Sequence, residues 1–361
     1  MPSPDLKPLL LDPANFTPRS RTPWGGPRLP ALKAPHVTGE IDARIGESWE
    51  ISVEPDFPSR VAGGPLLADV IARAPEAWLG EARAMELLVK LLDAAAPLSV
   101  QIHPHDGDPA LAPDESGKPE AWYVVDHEEG AGVFLGLEEG VDEVTLRSAI
   151  ERGDDVSGLL RFHPVEKGDF FLVEPGVPHA VGAGVFLVEP QRVQPGRRGI
   201  TYRYWDWNRR YDDRGRESPD GRPRELHLER ALAVTDFSRP RGEEFDRQVK
   251  RSLGAPSPGD VRFEPLAGFE GGIASSDLLV ARISGSGVTR LPSLGTLIGI
   301  TVVRGSVASL GEDVTLVDGE LRGERVIGAG RSAVFPAELG EHSLFLSNAE
   351  AIVSAIPPRT K

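Results

Sequence analysis

Side chains that bind metals stand at strand spacing in the stretch PLSVQIHPHD. On a β-strand alternate residues share a face, so Gln101, His103 and His105 are predicted to point one way and their apolar neighbours the other. Glu120 begins a second strand-like segment, EAWYVVD, and His179 follows a Pro-Gly turn in GDFFLVEPGVPHAV. Imidazoles, a carboxylate and an amide oxygen suit a divalent cation such as Zn, Mn or Fe. The sequence therefore predicts a metal site assembled from neighbouring strands.

Short β-like runs separated by turns surround these residues. The 40 Gly and 33 Pro among 361 residues favour many turns over long helices, and 40% hydrophobic residues suffice for a sizeable core. Helical periodicity occurs over residues 65–80, which Pro75 splits into two short helices, over residues 141–161, interrupted at Gly153, and in RELHLERALAVTDF. The segment MELLVKLLDA fits a helix or a strand from periodicity alone. We expect a mainly β fold with helical insertions.

The composition limits the partners and the compartment. A formal net charge of −15 argues against a nucleic-acid partner, because a phosphate-binding surface needs a basic stripe. The chain has no cysteine, which excludes disulfides and thiolate ligands. The first residues lack a basic start followed by a long apolar run, and no apolar stretch reaches the roughly eighteen residues that a membrane span needs. We expect a cytoplasmic protein with no membrane partner.

The polar pattern resembles the metal site of cupins, small β-barrels with ligands from an early strand pair and a later His. Read whole, the chain resembles type I mannose-6-phosphate isomerases, a zinc-dependent cupin family, and in particular its shorter bacterial branch. The motifs that carry this resemblance run in order from about Trp24 to Phe237 and are RTPWGG, GESWEIS, LLVKLLDA, QIHPHD, GKPEAWYV, PGVPHAVGAG, TYRYWDWNRR and RELHLERAL. The resemblance implies a cupin (double-stranded β-helix) barrel and makes LLVKLLDA a strand.

The composition changes after about Pro240, where strand-like segments alternate with Gly and Asp turns. A chain of this length has two domains as its natural expectation. We predict a catalytic metal-binding cupin domain over residues 1–240 and a C-terminal cupin-like β domain over residues 241–361. The second domain lacks paired histidines, since His342 stands alone there, so we interpret it as a scaffold or interface domain.

Two ligand sets agree with the spacing. The usual cupin spacing, His-x-His, selects His103 and His105, whereas the isomerase spacing, Gln-x-His, selects Gln101 and His103. The flanking motifs favour the second, so the resemblance implies one zinc ion held by Gln101, His103, Glu120 and His179. In that reading His105 turns outward into the loop after Pro104.

Three further residues are candidates for catalysis. Lys118 lies two residues before Glu120 and faces the same pocket if the strand extends to it. Arg203, in ITYRYWDW, matches the arginine that the family keeps opposite the metal, and its planar fork suits a phosphate or an enediolate. Glu189 ends the strand after His179 and is the candidate base.

Three features depart from this picture or lie outside it. The segment PQRVQPGRRGI is longer and more basic than the usual turn of the family, so Arg197 and Arg198 either replace the usual phosphate donors or lie in solvent. Glu47, in GESWEIS, is interpreted as an exposed charge at a sheet edge. His227, in RELHLERAL, is expected on a solvated or packed face.

The resemblance implies interconversion of mannose 6-phosphate and fructose 6-phosphate by proton transfer through an enediolate, with a small sugar phosphate as the partner. An Fe(II)-dependent cupin dioxygenase is one alternative, because two His and a carboxylate also form its facial triad. A non-catalytic cupin that senses a sugar phosphate is the other. The sequence gives no indication of oligomeric state.

Overall fold

The structure of the protein is a computed structural model that describes residues 6–256, 259–309, 315–317, 320–323 and 326–359. Strands dominate it, as predicted from the composition. The helices are short: α1 (Arg28–Lys33), α2 (Leu67–Arg73), α3 (Pro75–Leu79), α4 (Glu143–Arg152), α5 (Leu228–Ala233) and α6 (Gly242–Val249), with 3₁₀ turns at Ala34–His36, Ser157–Leu159 and Ala337–Leu339.

The strands are, in chain order, β1 (Leu9–Leu10), β2 (Glu47–Ile51), β3 (Leu87–Ala94), β4 (Val100–Ile102), β5 (Glu115–Ser116), β6 (Glu120–His127), β7 (Gly132–Leu137), β8 (Leu160–Pro164), β9 (Asp169–Val173), β10 (His179–Val181), β11 (Val185–Arg192), β12 (Arg198–Gly199), β13 (Tyr202–Trp205), β14 (Lys250–Ser252), β15 (Arg262–Ala267), β16 (Leu279–Leu291), β17 (Ile298–Ser309), β18 (Thr315–Val317), β19 (Glu320–Arg322), β20 (Ile327–Gly328), β21 (Ser332–Phe335) and β22 (His342–Ala355).

Two antiparallel sheets of the N-terminal half face each other and together form the barrel. One has the order β13-β4-β10-β7-β8 and the other β14-β9-β6-β11-β3-β2. Apolar side chains from both sheets, among them Trp122, Phe171, Leu135 and Val181, form one buried cluster between them. The space between the two sheets is therefore the interior in which the candidate ligands lie.

The ambiguous segment LLVKLLDA is strand β3, as the resemblance implied. It pairs with β2 on one side and β11 on the other, and every residue from Leu87 to Ala94 is buried. A strand buried on both faces is a nearly continuous apolar run, which explains why its periodicity did not separate strand from helix.

The boundaries of the predicted helices follow the proline and glycine residues of the sequence. Pro75 separates α2 from α3, as expected. The Asp142 side chain caps α4 by accepting a 2.8 Å hydrogen bond from the Thr145 amide, and the helix ends at Gly153 with a φ of 73°. Beyond Gly153 the helical prediction is wrong, because Leu159 ends a 3₁₀ turn and Leu160 starts β8.

A third large sheet lies in the C-terminal half, in the order β1-β21-β17-β22-β16-β15, with β20 beside β17. Each half contributes one strand to a sheet of the other half. The N-terminal β1 pairs with β21 of the C-terminal sheet, and the C-terminal β14 pairs with β9 of the barrel. The division at residues 240 and 241 stays a prediction. In the described ranges, no helix is both long enough and apolar enough to cross a bilayer.

Candidate active site

Three predicted ligands converge from two facing sheets. His103 follows the last residue of β4, and His179 is the first residue of β10, which pairs with β4 in the register His179 to Gln101. Glu120 is the first residue of β6 in the opposite sheet. Strand ends therefore deliver these side chains to one point in the barrel interior.

The three side chains are completely buried and close together. His103 Nε2 lies 3.2 Å from Glu120 Oε2, and His179 Nε2 lies 3.4 Å from Glu120 Oε1. The potential ligand atoms of all three residues lie within 4.8 Å of one another. Among the described residues, they form a group of the kind that holds a metal ion.

The outer ring nitrogens fix the orientation of both imidazoles. His103 Nδ1 lies 2.8 Å from the carbonyl oxygen of Ile200, and His179 Nδ1 lies 2.9 Å from that of Val177. A carbonyl only accepts, so each Nδ1 carries the hydrogen and each Nε2 presents a lone pair when the ring is neutral. Backbone carbonyls often orient metal-binding histidines in this way.

Unpartnered atoms show that the residues fit a cation. The Nε2 atoms of His103 and His179 and the Oε1 atom of Glu120 are buried and make no hydrogen bond to any described residue. Lone pairs of two imidazoles and a carboxylate face one another, an arrangement that is repulsive unless a positive charge lies between them. The donor set therefore fits a divalent metal ion.

The protonation states favour metal binding. Burial, and next the charge of Lys118, lower the pKa of His103 to about 3, and burial lowers the pKa of His179. Burial opposes ionisation of Glu120, but the charge of Lys118 acts against it, and the pKa of that carboxyl lies well below its usual range. Neutral imidazoles and an ionised carboxylate are the forms that bind metals.

Two polar side chains hold Glu120 in place. Gln191 Nε2 donates a 2.7 Å hydrogen bond to Glu120 Oε2, and Lys118 Nζ lies 3.3 Å from the same oxygen. Lys118 therefore faces the pocket, as predicted, although it lies just outside β6 rather than within it. Gln191 was missed from the sequence, where its position inside an apolar strand was the available signal.

A cavity of about 510 Å³ adjoins the cluster. Gln101, Lys118 and Gln191 line it, and the last two also contact Glu120, so the cluster lies directly behind the cavity wall. The volume is in the range of small-molecule sites. Gln101 is half-buried. In the register of the sheet it lies opposite His179 of β10 on one side and Arg203 of β13 on the other.

Arg203 lines the same cavity. Its backbone amide donates to His227 Nδ1 at 3.2 Å, and its Nη1 donates to the carbonyl oxygen of Glu225 at 2.9 Å. Its buried Nε makes no hydrogen bond, and within the described chain no carboxylate forms an ion pair with it. Burial, and next the charge of Arg224, lower the pKa of the guanidinium. Arg203 thus offers a cationic donor to an anion.

Glu189 also lines the cavity, beside a lysine that the sequence analysis did not select. Trp122 Nε1 donates a 3.1 Å hydrogen bond to Glu189 Oε1, and Lys90 Nζ lies 3.5 Å from Oε2. Burial and the charge of Glu120 raise the pKa of Glu189 to about 7 despite the opposing effect of Lys90. Lys90 is the single cation in the apolar run of β3, and that isolation was the signal for it.

The interpretation of Glu47 as an exposed edge charge is wrong. Its side chain lines the cavity, is only 14% exposed, accepts a 2.9 Å hydrogen bond from Trp49 Nε1 and lies 4.0 Å from Lys90 Nζ. The neighbouring β3 supplies Lys90, and alternation along β2 alone does not reveal that partner. Glu47, Lys90 and Glu189 therefore form a charged group at the cavity wall.

Other sequence candidates lie apart from the cluster. His105 is exposed, in agreement with its predicted outward turn. Arg197 is also exposed, and Arg198 lies at the cavity rim, where it pairs with Glu115 at 3.2 Å. His227 is half-buried beside Arg203 and away from the metal cluster.

Comparisons with known proteins bear on the family and on the fold. Residues 21–134 match the family described as "Phosphomannose isomerase type I, catalytic domain". The chain is 36% identical over 222 residues to the mannose-6-phosphate isomerase of Streptococcus mutans, a match that covers 60% of this chain and 65% of that protein. It is 33% identical over 202 residues to the mannose-6-phosphate isomerase ManA of Bacillus subtilis, covering 54% of this chain and 59% of that protein. These matches thus span less than two thirds of the relatives' own length.

The fold match extends further along the chain. The crystal structure of the mannose 6-phosphate isomerase of Bacillus subtilis superposes with a TM-score of 0.72 over 97% of this chain and 99% of that one, at 24% identity. This agreement confirms the mainly β, cupin fold that the motifs implied. Type I phosphomannose isomerases depend on a metal, and the cluster of His103, Glu120 and His179 is consistent with that dependence. The predicted resemblance is therefore confirmed: residues 21–134 resemble the type I phosphomannose isomerase catalytic domain, and the chain shares the fold of the Bacillus subtilis mannose 6-phosphate isomerase.

Proposed function

We propose that this protein is a metal-dependent isomerase that interconverts mannose 6-phosphate and fructose 6-phosphate. The observation that carries the proposal is the convergence of the unpartnered lone pairs of His103, Glu120 and His179 behind a cavity with a cationic wall. The relatives named above are mannose-6-phosphate isomerases, and they do not favour the dioxygenase or the sensor alternative. A cytoplasmic enzyme acting on a small sugar phosphate remains our expectation.

We assign the metal to Gln101, His103, Glu120 and His179, and we propose zinc as the ion. Imidazoles and a carboxylate are common zinc ligands. Gln101 belongs to β4, the strand between β10, which carries His179, and β13, which carries Arg203. When bound, the ion supplies a Lewis acid that polarises an oxygen of the sugar. His105 has no part in this set because its side chain is exposed.

Arg203 and Lys118 are proposed to balance negative charge on the substrate. Conversion of an aldose to a ketose builds negative charge on oxygen as a proton leaves carbon. Preorganised cations at that point lower the barrier because they need no rearrangement during the reaction. Arg203 has no carboxylate partner among the described residues, so its charge is available to the enediolate or the phosphate.

Glu189 is proposed to move the proton between C2 and C1. A general base works best when its pKa is close to the working pH, and burial beside Glu120 raises the pKa of Glu189 to about 7. The hydrogen bond from Trp122 holds Oε1, and Lys90 approaches Oε2, so the carboxyl has a fixed orientation at the cavity wall. These contacts are those of a positioned acid–base group.

A coupled assay tests the proposal. Mannose 6-phosphate is supplied to the protein as purified, after chelator treatment, and after zinc is restored, and fructose 6-phosphate is measured. We expect turnover that chelation abolishes and zinc restores, with no requirement for oxygen. Binding of mannose 6-phosphate without isomerisation in the zinc-loaded protein would refute the proposed activity in favour of a sensor.

A further inference from the structure

A buried arginine behind the cavity joins carboxylates from distant parts of the chain. Arg192 is the last residue of β11 and is 3% exposed. Its Nη2 lies 2.5 Å from Asp106 Oδ2, its Nη1 lies 3.4 Å from Glu86 Oε2, and its Nε lies 3.0 Å from Asp277 Oδ1. A planar guanidinium can hold several carboxylates in one geometry, which a point charge cannot do.

Arg192 and Asp106 fix the backbone on both sides of Lys118. The Gly117 amide donates a 2.9 Å hydrogen bond to Asp106 Oδ1, and the Arg192 amide donates a 3.0 Å hydrogen bond to the carbonyl oxygen of Pro119. Asp106 uses one oxygen for Arg192 and the other for Gly117. The guanidinium therefore restrains the peptide at Gly117 through Asp106, and the backbone amide of Arg192 restrains it at Pro119.

This short peptide carries Lys118, whose ammonium points into the protein. The Lys118 side chain is 12% exposed, and its Nζ lies 3.3 Å from Glu120 Oε2. Its stem runs past Gly199, where an added Cβ would come within 3.1 Å of the stem. A lysine is otherwise free to extend into solvent, so its inward orientation depends on the backbone that carries it.

The same cluster receives residues from the C-terminal half. Asp277 precedes β16, and Arg359 follows β22. Arg359 Nη2 lies 3.1 Å from Asp277 Oδ1 and 3.8 Å from Asp106 Oδ2. The C-terminal half thus contacts the carboxylate that holds the Gly117 amide.

We propose that Arg192 is a positioning residue that holds Lys118 against the candidate metal ligand Glu120, and that Asp277 and Arg359 transmit this restraint from the C-terminal half. The catalytic consequence rests on the proposed isomerase function, whereas the position of Lys118 does not. The C-terminal half then contributes to turnover although none of its described residues lines the cavity.

Two test variants and one control separate an effect on the position of Lys118 from a general loss of fold stability. Arg192→Lys keeps a positive charge but cannot span the same carboxylates. Asp277→Ala combined with Arg359→Ala leaves Arg192 in place and removes only the contacts from the C-terminal half. The matched control is Arg290→Ala combined with Glu341→Ala, an exposed ion pair of 3.3 Å in the same half.

Lys118 acetylation and Gly117 amide exchange are measured by mass spectrometry in each variant, with a thermal melt to verify folding. We expect the rates of both to rise about threefold or more in the two test variants and to stay at the wild-type value in the control, because a loosened segment opens more often. With mannose 6-phosphate, kcat should fall roughly tenfold while KM changes less than about twofold, since misplacement of a charge-balancing group affects the reaction more than binding.

The readouts distinguish two failures. Faster acetylation and exchange in a protein without isomerase activity would support the positioning role and refute only the proposed function. Isomerase activity with acetylation, exchange and kcat all at the control value in both test variants would overturn the positioning role. A fall in kcat without faster acetylation or exchange would overturn it as well, because the effect would not act through Lys118.

Discussion

The barrel and the C-terminal sheet treat buried polar groups in different ways. In the barrel, atoms of His103, Glu120 and His179 that lack hydrogen-bond partners converge on one point. In the C-terminal sheet, Arg282 is 1% exposed yet pairs with Glu264 at 2.7 Å. The C-terminal half also contains unpartnered buried atoms, but among the described residues they form no His and acid cluster.

This difference shows where chemistry is expected in a protein built largely of buried strands. A buried polar atom without a partner destabilises the fold unless a ligand satisfies it. In the barrel a cation would satisfy such atoms, whereas charged groups of the C-terminal sheet mostly satisfy one another. The barrel interior thus offers unpartnered donor atoms to a ligand, whereas the C-terminal sheet is organised around its own packing.

Loss of a candidate metal ligand is expected to have the largest effect. His103→Ala should remove the bound metal and lower kcat/KM on the order of 10³-fold or more, because several kcal/mol of transition-state stabilisation are lost. Metal content by elemental analysis and the coupled assay measure both effects. The control is His105→Ala, which should keep metal and activity because that side chain is exposed. Loss of metal in His105→Ala would contradict the assigned ligand set.

The next effect is on the pH dependence of stability in the chelator-treated protein. The pKa of Glu189 is raised from the ordinary 4.5 to about 7. Between these values the unfolded carboxyl is ionised while the folded one keeps its proton, so the wild-type protein loses stability as the pH rises through this window. Glu189→Gln carries no such proton. Its unfolding free energy should therefore rise relative to that of the wild type by up to about 3 kcal/mol between pH 4.5 and pH 8.

Urea unfolding at both pH values measures this gain. The control is Glu341→Gln, whose carboxylate is exposed and should leave the pH dependence of the wild type unchanged. A difference between the wild type and Glu189→Gln that is independent of pH would show that the barrel does not hold Glu189 in its protonated form.

Loss of the Arg203 guanidinium should have a smaller effect on activity and should leave the metal in place. Arg203→Ala is expected to retain the metal and to lower kcat about 10²-fold, as for the removal of a group that stabilises charge in the transition state. Metal analysis and steady-state kinetics test it. Arg198→Ala is the control, since that arginine is exposed at the rim and paired with Glu115. Loss of metal in Arg203→Ala would place this residue in the metal site instead.

The smallest effect is expected when one methylene is removed from a buried isoleucine, once in the barrel and once in the C-terminal sheet. Ile102 and Ile300 are both fully buried, the first between Gln101 and His103 and the second in the C-terminal core. Either change to Val should cost about 1 kcal/mol of unfolding free energy. Ile102→Val should also lower kcat about threefold by shifting its neighbours, whereas Ile300→Val should leave it unchanged. Equal effects on kcat would remove the functional distinction between the regions.

Much of the candidate site could be predicted from the sequence because its signals are local. Gln101 and His103 stand at alternate positions, Pro75 separates two helices, and Gly153 ends α4. Such features depend on a few consecutive residues, whose periodicity and φ preferences act whatever the rest of the chain does. The family motifs favoured one of the two ligand spacings, and that choice stays a prediction.

Only the tertiary structure decided which distant charges meet. Glu47 was misjudged because its partner, Lys90, lies on the neighbouring strand, and Lys90 itself was overlooked in a continuous apolar run. Arg192 reaches Asp277 from the other half of the chain, far outside any sequence window. Strand register sets these encounters, and the packing of the whole core determines the register, so residue types and spacing alone did not reveal them.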